Sequence, residues 1–137
     1  MKTFYVGIKG VIVRDEKVLL LRTNPEHEAR GARWEVAGGR VEGNETIEQA
    51  LTRELSEELL NIQDIKVGEL LGVHRLHHDV WGRKSLMLVY YRVQAEFVGD
   101  PKLSEEHLEW EWADAGRVKE LISDPSQATI LKALEAL

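Results

Sequence analysis

The sequence predicts a mixed α/β (α+β) fold in which a β-sheet packs between helices. The order of the predicted elements, which is strands, helix, strands and helices, leads to this prediction. A second observation is the run from Leu86 to Tyr91, which is apolar on both faces, as in a central strand covered on both sides. The length of 137 residues fits one core of ordinary size. We therefore expect a single domain that spans residues 1–137.

Composition and charge exclude several classes of protein. Hydrophobic residues make up 43% and charged residues 31%, which is typical of a globular chain. The absence of cysteine excludes disulfides, zinc–thiolate sites and cysteine nucleophiles. The net charge of −6 argues against a nucleic-acid polymer as partner, although a bound cation would still admit a small anionic substrate. Without a membrane-spanning run or a secretory signal, we expect a cytoplasmic protein.

The N-terminal part predicts a hairpin followed by a loop and a short strand. β-Branched and apolar residues indicate the strands, whereas Gly, Pro and acidic residues indicate the turns. The predicted elements are a strand at 4–13, a turn at 15–17, a strand at 18–21, a loop at 23–31, a strand at 34–36 and a turn at Ala37-Gly38-Gly39.

The remainder of the chain predicts most of the sheet and all of the helices. The clearest helix has no Gly or Pro within it, and the last helix repeats apolar residues at i, i+4 and i+7. The predicted elements are a helix at 46–60, strands at 65–73, 85–97 and 108–112, and helices at 118–122 and 130–137. Leu108, Trp110 and Trp112 alternate with glutamates, so we expect their side chains to share the buried face.

The helix at 46–60 has an unusual charge pattern. Its apolar face consists of Ile47, Leu51, Leu55 and Leu59. A helical wheel places the carboxylates of Glu54, Glu57 and Glu58 at the core edge of this face. Like charges at this spacing repel one another, and burial without a partner is costly. A hard divalent cation, Mg²⁺ or Mn²⁺, would compensate them. The alternative, a solvated acidic helix face, remains open on this pattern alone.

A longer motif surrounds these glutamates. The sequence reads Gly39-x5-Glu45-x7-Arg53-Glu54-Leu55-x-Glu57-Glu58, which resembles the Nudix box of the Nudix hydrolases, the MutT-like pyrophosphohydrolases. The box covers residues 39–61, about a sixth of the chain, and the preceding segment 34–42 also resembles the family. The resemblance implies a Nudix α/β/α sandwich with a mixed β-sheet between helices.

The motif departs from the family pattern at three positions. Leu60 stands where the family has glycine, Asn61 where it has an aliphatic residue, and Ala37 where proline is common. Because asparagine tolerates the left-handed conformation that ends many helices, we expect Asn61 to end this helix one residue later than usual.

The resemblance implies roles for individual residues. Glu54, Glu57 and Glu58, with the carbonyl of Gly38, would bind Mg²⁺, with Mn²⁺ as an alternative. Arg53 and Glu45 would orient these carboxylates; the alternative is an ordinary surface ion pair. Glycine at 38 and 39 would let phosphate and metal approach the backbone.

The implied reaction is hydrolysis of a diphosphate bond in a nucleoside diphosphate linked to another group. The family places the general base either in the box or on a later loop, where the candidates are Glu105, Glu106 and Glu109. We favour Glu106, as an additional ligand or as the base, because it lies six residues before Trp112. The alternative is an acidic loop end before a strand.

Other side chains are weaker candidates for the site. Arg22 and Arg33, with Gly39, are candidates for substrate contacts, and surface charge is the alternative for the arginines. A second group, which a polar hairpin end explains better than metal binding, comprises His74, His77, His78 and Asp79. Three aromatic residues are candidates for stacking on a base, although core packing explains each of them better: Tyr5, Trp34 and Trp81.

We therefore expect a Mg²⁺-dependent pyrophosphohydrolase acting on a nucleoside triphosphate or a modified nucleotide. A nucleotide-sugar, ADP-ribose or dinucleoside polyphosphate hydrolase is the alternative within the family. A catalytically silent nucleotide-binding module is a third hypothesis, which the complete set of box carboxylates disfavours. Because family members are often homodimers, the apolar C-terminal helix either forms an interface or closes the core.

Overall fold

The computed structural model describes residues 4–26, 31–76 and 85–135. Its strands are β1 (Phe4–Arg14), β2 (Lys17–Thr23), β3 (Trp34–Glu35), β4 (Ala37–Arg40), β5 (Ile62–Leu76), β6 (Ser85–Phe97) and β7 (His107–Ala113). Its helices are α1 (Ile47–Glu58), α2 (Ala115–Leu121) and α3 (Ser126–Lys132). The strand predicted at 85–97 has these same bounds, and the other predicted strands and α1 are found within a few residues of their predicted ends.

The sheet is mixed, as the sequence predicts. The strand order is β3-β2-β1-β6-β5, while β4 pairs with β1 and β7 pairs with β2. β1 and β6 run parallel, with Ile8 opposite Val89, whereas the other described pairs are antiparallel. β1 is central because β2, β4 and β6 all pair with it.

Two hydrophobic clusters lie on opposite faces of the sheet. Ile8 and Ile12 of β1 belong to the cluster that contains Leu51 and Leu55 of α1. The intervening Val11 belongs to the second cluster, which contains residues of α2 and α3. Because successive side chains of a strand point to opposite faces, α1 covers one face of the sheet and α2 and α3 cover the other. This arrangement confirms the α/β/α sandwich.

The predicted hairpin between β1 and β2 is also confirmed. Val13 lies opposite Val18, and Arg14 lies opposite Lys17. The two connecting residues, Asp15 and Glu16, have φ values of 49° and 60°. Positive φ at both positions is typical of the tight turns whose twist matches that of the flanking strands.

The turn predicted at residues 37–39 is wrong, since these residues belong to β4. Gly38 lies opposite Lys9 on β1, and its φ of 155° is one that side chains rarely adopt. A Cβ atom at Gly38 would lie 2.0 Å from the carbonyl oxygen of Ile8. Glycine at this position therefore allows the backbones of β4 and β1 to lie together.

Helix α1 begins as predicted but ends earlier. Thr46 caps it, accepting a hydrogen bond from the backbone N–H of Gln49 while the Gln49 side chain bonds back. The helix ends at Glu58, and the next residue, Leu59, is extended. Asn61 is absent from the described residues with positive φ, so its predicted left-handed conformation is wrong.

Contacts with a later loop explain this early end. The backbone N–H of Leu60 donates to the carbonyl of Lys102. The Asn61 side chain donates to the carbonyls of Val98 and Asp100 and accepts from the N–H of Lys102. The segment after α1 is therefore held by the loop that follows β6 rather than by a helix-terminating turn of its own.

The two C-terminal helices are shifted toward the N-terminus relative to the prediction. α2 begins at Ala115, where the Asp114 side chain accepts a hydrogen bond from the N–H of Arg117. α3 begins at Ser126, directly after Pro125, and ends at Lys132. Of the residues that the structure describes, none forms a helix long and apolar enough to cross a membrane.

Truncation of a leucine tests the packing of α1 on the sheet. Leu55→Ala removes a side chain that is fully buried against β1, and we expect it to lower the free energy of unfolding by about 2–5 kcal/mol. Leu60→Ala is the matched control, because Leu60 is 63% exposed, and its effect should stay within about 0.5 kcal/mol. Urea unfolding measures both, and equal losses would contradict this packing.

Candidate functional site

Two of the three box glutamates on α1 face the sheet, and the third faces solvent. Glu58 is buried, and its Oε1 accepts a hydrogen bond of 2.7 Å from the backbone N–H of Gly38. Glu54 is largely buried as well. The side chain of Glu57 is 58% exposed, so its predicted place at the core edge is wrong. Glu57 lies one turn after Arg53, on the outer side of the helix, where its Oε1 accepts a hydrogen bond from the Arg53 guanidinium.

Gly39 makes room for the carboxylate of Glu54. A Cβ atom at Gly39 would lie 2.3 Å from both the carboxyl carbon and Oε2 of Glu54. Gly38, as described above, makes room for the carbonyl of Ile8. In the structure, both glycines are needed because a side chain would collide with other groups of the protein. From the sequence, they are instead explained by the close approach of phosphate and metal.

Arg53 ties the acidic residues of the motif together. Its Nε and Nη2 donate to the two oxygens of Glu45, at 2.7 and 2.9 Å. Its Nη1 donates to Oε1 of Glu54 at 2.8 Å and to Oε1 of Glu57 at 3.3 Å. The Arg53 hydrogen bonds, with one from the Glu42 backbone, lower the pKa of Glu45 to about 2. Arg53 therefore contacts both Glu54 and Glu57, while Glu45 binds the guanidinium of Arg53.

The loop before β7 brings a further carboxylate to this place. Oxygen or nitrogen atoms of Glu58, Glu106 and His107 lie within 4.8 Å of one another. The backbone of Asn24 donates to the carbonyl of Glu106, and its side chain donates to the carbonyl of Glu105, which fixes the loop. Glu106 is thus brought beside the box, whereas Glu109 pairs across the strands with Arg22 at 3.7 Å.

A buried polar network lies beneath this cluster. Lys9 Nζ lies 3.2 Å from Oε1 of Glu35 and donates to the carbonyl of Val36 at 2.9 Å. The other oxygen of Glu35 lies 2.9 Å from Nε2 of His107. Nδ1 of His107 lies 3.9 Å from Oε2 of Glu58. The network therefore runs from β1 through β3 and β7 to the end of α1.

Charges within the network set the protonation of its members. Burial alone would raise the pKa of Glu35, but Lys9, the hydrogen bond to His107 and Arg33 together lower it to about 2. Burial likewise acts to lower the pKa of Lys9, yet Glu35 and Glu58 raise it above its ordinary value. Glu35 is consequently an anion and Lys9 a cation at neutral pH.

The pKa values of Glu54 and Glu58 are raised, in contrast to that of Glu35. Burial raises the pKa of Glu58 well above its ordinary value, and Lys9 and the Gly38 N–H only partly oppose it. Burial also raises the pKa of Glu54, against the hydrogen bond from Arg53. Glu106 adds to both shifts through its charge. Clustered, partly buried oxygen donors that repel one another fit a divalent cation.

The other predicted side chains take varied positions. Arg33 lies 3.3 Å from Glu35, so it contributes to the buried network. The guanidinium of Arg40 lies over the ring of Tyr5 at 4.2 Å, and Trp34 packs against the second hydrophobic cluster. His74 contacts Thr129 and the ring of Tyr90, which separates it from the carboxylate cluster. His77, His78, Asp79 and Trp81 lie outside the described residues.

Sequence reasoning missed three members of the network: Lys9, Glu35 and His107. The alternating pattern of β7 predicts Leu108 on the buried face, but Leu108 is half-exposed and His107 is buried. A bulge opposite Arg22 and Thr23 shifts the register, so that Thr23 lies opposite His107 and Arg22 opposite Glu109. A lysine in the middle of the apolar stretch of β1 was the one available signal.

Comparison with known proteins identifies relatives of the whole chain. A family model described as NUDIX domain matches residues 5–134. A Mycobacterium tuberculosis protein provisionally named 8-oxo-dGTP diphosphatase 2 is 34% identical over 85% of this chain and 77% of its own length. CTP pyrophosphohydrolase of Escherichia coli is 32% identical over 95% of this chain and 90% of its own length.

A solved structure agrees with these matches. The solution structure of the Escherichia coli ORF135 protein superimposes with a TM-score of 0.74 at 31% sequence identity. The superposition covers 96% of this chain and 89% of the other.

Substitution of Glu35 tests the buried network. Glu35→Gln leaves Lys9 without its counter-ion, and we expect a loss of about 3–5 kcal/mol in the free energy of unfolding at pH 7. Because the pKa of Glu35 is lower in the folded chain, its stabilisation is complete above about pH 4.5 and is lost as the pH falls toward about 2. Urea unfolding should therefore show a smaller difference between the two proteins at pH 3 than at pH 7.

The control for this experiment is Glu96→Gln, which changes an exposed glutamate on β6. We expect the Glu96 variant to follow the wild type at both pH values. A loss for Glu35→Gln that does not change between pH 7 and pH 3 would contradict the assigned ion pair.

Proposed function

Because the chain belongs to the Nudix family, we propose that it is a divalent-cation-dependent pyrophosphohydrolase that cleaves a diphosphate bond in a nucleoside triphosphate or a modified nucleotide. The names of the two relatives, an 8-oxo-dGTP diphosphatase and a CTP pyrophosphohydrolase, support this substrate class. Mg²⁺ is the cation that we propose, with Mn²⁺ as the alternative.

One observation carries the proposal. Glu106 lies close to Glu58 although it comes from a different part of the chain, Glu58 accepts from the Gly38 N–H, and Glu54 lies against Gly39. A folded chain gains nothing by placing like charges together in a partly buried place unless a cation joins them. A diphosphate substrate is itself anionic and would be repelled by these carboxylates. A bound cation would make the local charge favourable for binding this substrate.

We assign the cation ligands to Glu54, Glu57, Glu58 and Glu106 with the carbonyl of Gly38. When bound, the cation neutralises phosphate oxygens and increases the acidity of the attacking water. Arg53 donates a hydrogen bond to one oxygen of Glu54 and to one oxygen of Glu57. The second oxygen of each carboxylate is then available to the cation. The Gly38 N–H holds Glu58 in the same manner.

Glu57 is the residue to which we assign the water's proton. Its side chain is exposed, and only one of its oxygens accepts a hydrogen bond from Arg53, through a long contact of 3.3 Å. Glu58 is buried, and Glu54 lies against Gly39, so neither has comparable access to water. Glu106 is also exposed, but we assign it as a ligand because it lies beside Glu58. A positioned carboxylate of this kind contributes about 10²–10⁴-fold to a hydrolysis rate.

Arg22 is the arginine best placed to meet substrate phosphates. It is half-exposed at the end of β2, and its contact with Glu109 is long. Arg33 forms an ion pair with Glu35, and we therefore assign it to the buried network rather than to the substrate. The cytoplasmic location, the absence of a nucleic-acid partner and the homodimer remain predictions from the sequence.

A substrate screen tests the proposed activity. The protein would be incubated with Mg²⁺ and nucleoside triphosphates, oxidised deoxynucleotides, ADP-ribose, nucleotide sugars or dinucleoside polyphosphates, and the products identified by mass. We expect a nucleoside triphosphate and water to give a nucleoside monophosphate and inorganic diphosphate. Turnover of only the sugar or dinucleotide substrates would identify a nucleotide-sugar, ADP-ribose or dinucleoside polyphosphate hydrolase instead. Tight nucleotide binding without turnover would identify a catalytically silent module.

A single substitution tests the role of Glu57. Glu57→Gln should lower turnover by about 10²–10⁴-fold while the free energy of unfolding changes by less than about 0.5 kcal/mol, since the side chain is exposed. Glu48→Gln, an exposed change in the first turn of α1, is the matched control and should retain turnover. Steady-state rates and urea unfolding check both expectations. Full activity in the Glu57 variant would exclude it as the proton acceptor.

A further inference from the structure

One ring nitrogen of His107 contacts a carboxylate, whereas the other has no hydrogen-bond partner among the described residues. Its side chain is 1% exposed, and Nε2 lies 2.9 Å from Oε2 of Glu35. Glu35 is held as an anion by Lys9 and Arg33, at 3.2 and 3.3 Å. Because a carboxylate anion only accepts hydrogen bonds, the proton of this contact belongs to Nε2. In the neutral ring, Nδ1 then carries a lone pair.

That lone pair has no donor to meet. Among the described residues, Nδ1 of His107 is buried without a hydrogen-bond partner. Oε2 of Glu58 lies 3.9 Å from Nδ1, which is too far for a hydrogen bond. The other oxygen of Glu58 is occupied by the Gly38 N–H. Nδ1 of His107 and Oε2 of Glu58 therefore face each other across a gap, with no hydrogen bond between them.

The gap has the size and the donors of a metal site. Candidate ligand atoms of Glu58, Glu106 and His107 all lie within 4.8 Å of one another. Bonds of about 2.1 Å from one ion to nitrogen and oxygen ligands require the ligand atoms to lie about 3–4.2 Å apart, so a small closure is sufficient. A hydrogen bond from the far ring nitrogen to a carboxylate is also the usual support of a metal-binding histidine.

We propose that Nδ1 of His107 is a metal ligand together with Glu58 and Glu106. An imidazole nitrogen among carboxylates favours borderline divalent ions such as Mn²⁺ and Co²⁺ over Mg²⁺, which prefers oxygen ligands alone. Glu35, Lys9 and Arg33 hold the ring in the orientation that this requires. The inference deepens the proposed function, since it rests on this cluster being the cation site of that reaction.

A matched pair of substitutions separates the two ring nitrogens. The side-chain amide of His107→Gln reaches the place of Nε2 and retains a donor for Glu35, but it removes the ligand at Nδ1. His107→Asn places an amide oxygen near Nδ1 and so exchanges a nitrogen ligand for an oxygen. His74→Gln is the control, because His74 contacts Thr129 and lies apart from the cluster.

The measurement is metal binding in the absence of substrate. Pulsed electron paramagnetic resonance of bound Mn²⁺ should show coupling to a directly bound nitrogen in the wild type and in His74→Gln, and no such coupling in His107→Gln. Titration calorimetry with Mn²⁺, Co²⁺ and Mg²⁺ should show about 10–100-fold weaker Mn²⁺ and Co²⁺ binding in His107→Gln, with a smaller change for Mg²⁺. His107→Asn should shift the preference toward Mg²⁺.

The wild-type spectrum alone can overturn the inference, even when a His107 variant does not fold. Bound Mn²⁺ without nitrogen coupling would exclude His107 as a ligand, as would an unchanged preference among the ions in a folded His107→Gln protein. Nitrogen coupling without any nucleotide turnover would contradict the proposed function and leave the metal site standing. Turnover without nitrogen coupling would contradict the metal assignment alone.

Discussion

The hydrogen bond from the Gly38 N–H to the Glu58 carboxylate is the contact on which the site depends. It joins β4 to the last turn of α1, and it needs a glycine because a Cβ atom at this position would collide with β1. The position of α1 relative to the sheet therefore depends on the close approach of β4 to β1. Once Glu58 is held, the loop before β7 brings Glu106 to it, and α1 brings Glu54.

Cationic groups belonging to the protein surround this acidic cluster but do not neutralise it. Arg53 holds Glu45, Glu54 and Glu57 from the solvent side. Lys9 and Arg33 lie on the inner side, and both are drawn to Glu35. Lys9 only partly offsets the effect of burial on the pKa of Glu58, and the charge of Glu106 adds to that effect, so these two carboxylates retain their mutual repulsion. The arrangement keeps the carboxylates oriented while leaving an excess of negative charge at the centre, as a cation site requires.

The sequence predicts the layers of the fold and the motif well, and it predicts local geometry less well. Long apolar or periodic segments such as β6 and α1 are recognised because their patterns extend over many residues. The strand at 37–40 is missed because its glycines are typical of turns, and only their pairing with β1 makes them extended. The early end of α1 is missed because the loop at 98–102, far along the chain, determines it.

The same distinction holds within the site. Glu54, Glu58 and Arg53 are found from spacing, since all lie on one helix. His107, Glu35 and Lys9 come from three strands, and a bulge in β7 places His107 on the face that simple alternation assigns to Leu108. Contacts of this kind depend on strand register, which a single sequence does not specify.

The parallel pairing of β1 with β6 has a consequence for folding. It joins residues 4–12 to residues 85–93, so the centre of the sheet closes only after most of the chain has been made. The hairpin of β1 and β2 and the capped helix α1 involve neighbours in sequence and can form early, whereas such long-range strand pairs form slowly. Glu58 at the end of α1 and Glu106 before β7 are likewise distant in sequence, and they meet only when these segments pack together. A divalent ion at this cluster would therefore bind the native state alone, and it would retard unfolding without guiding the first steps of folding.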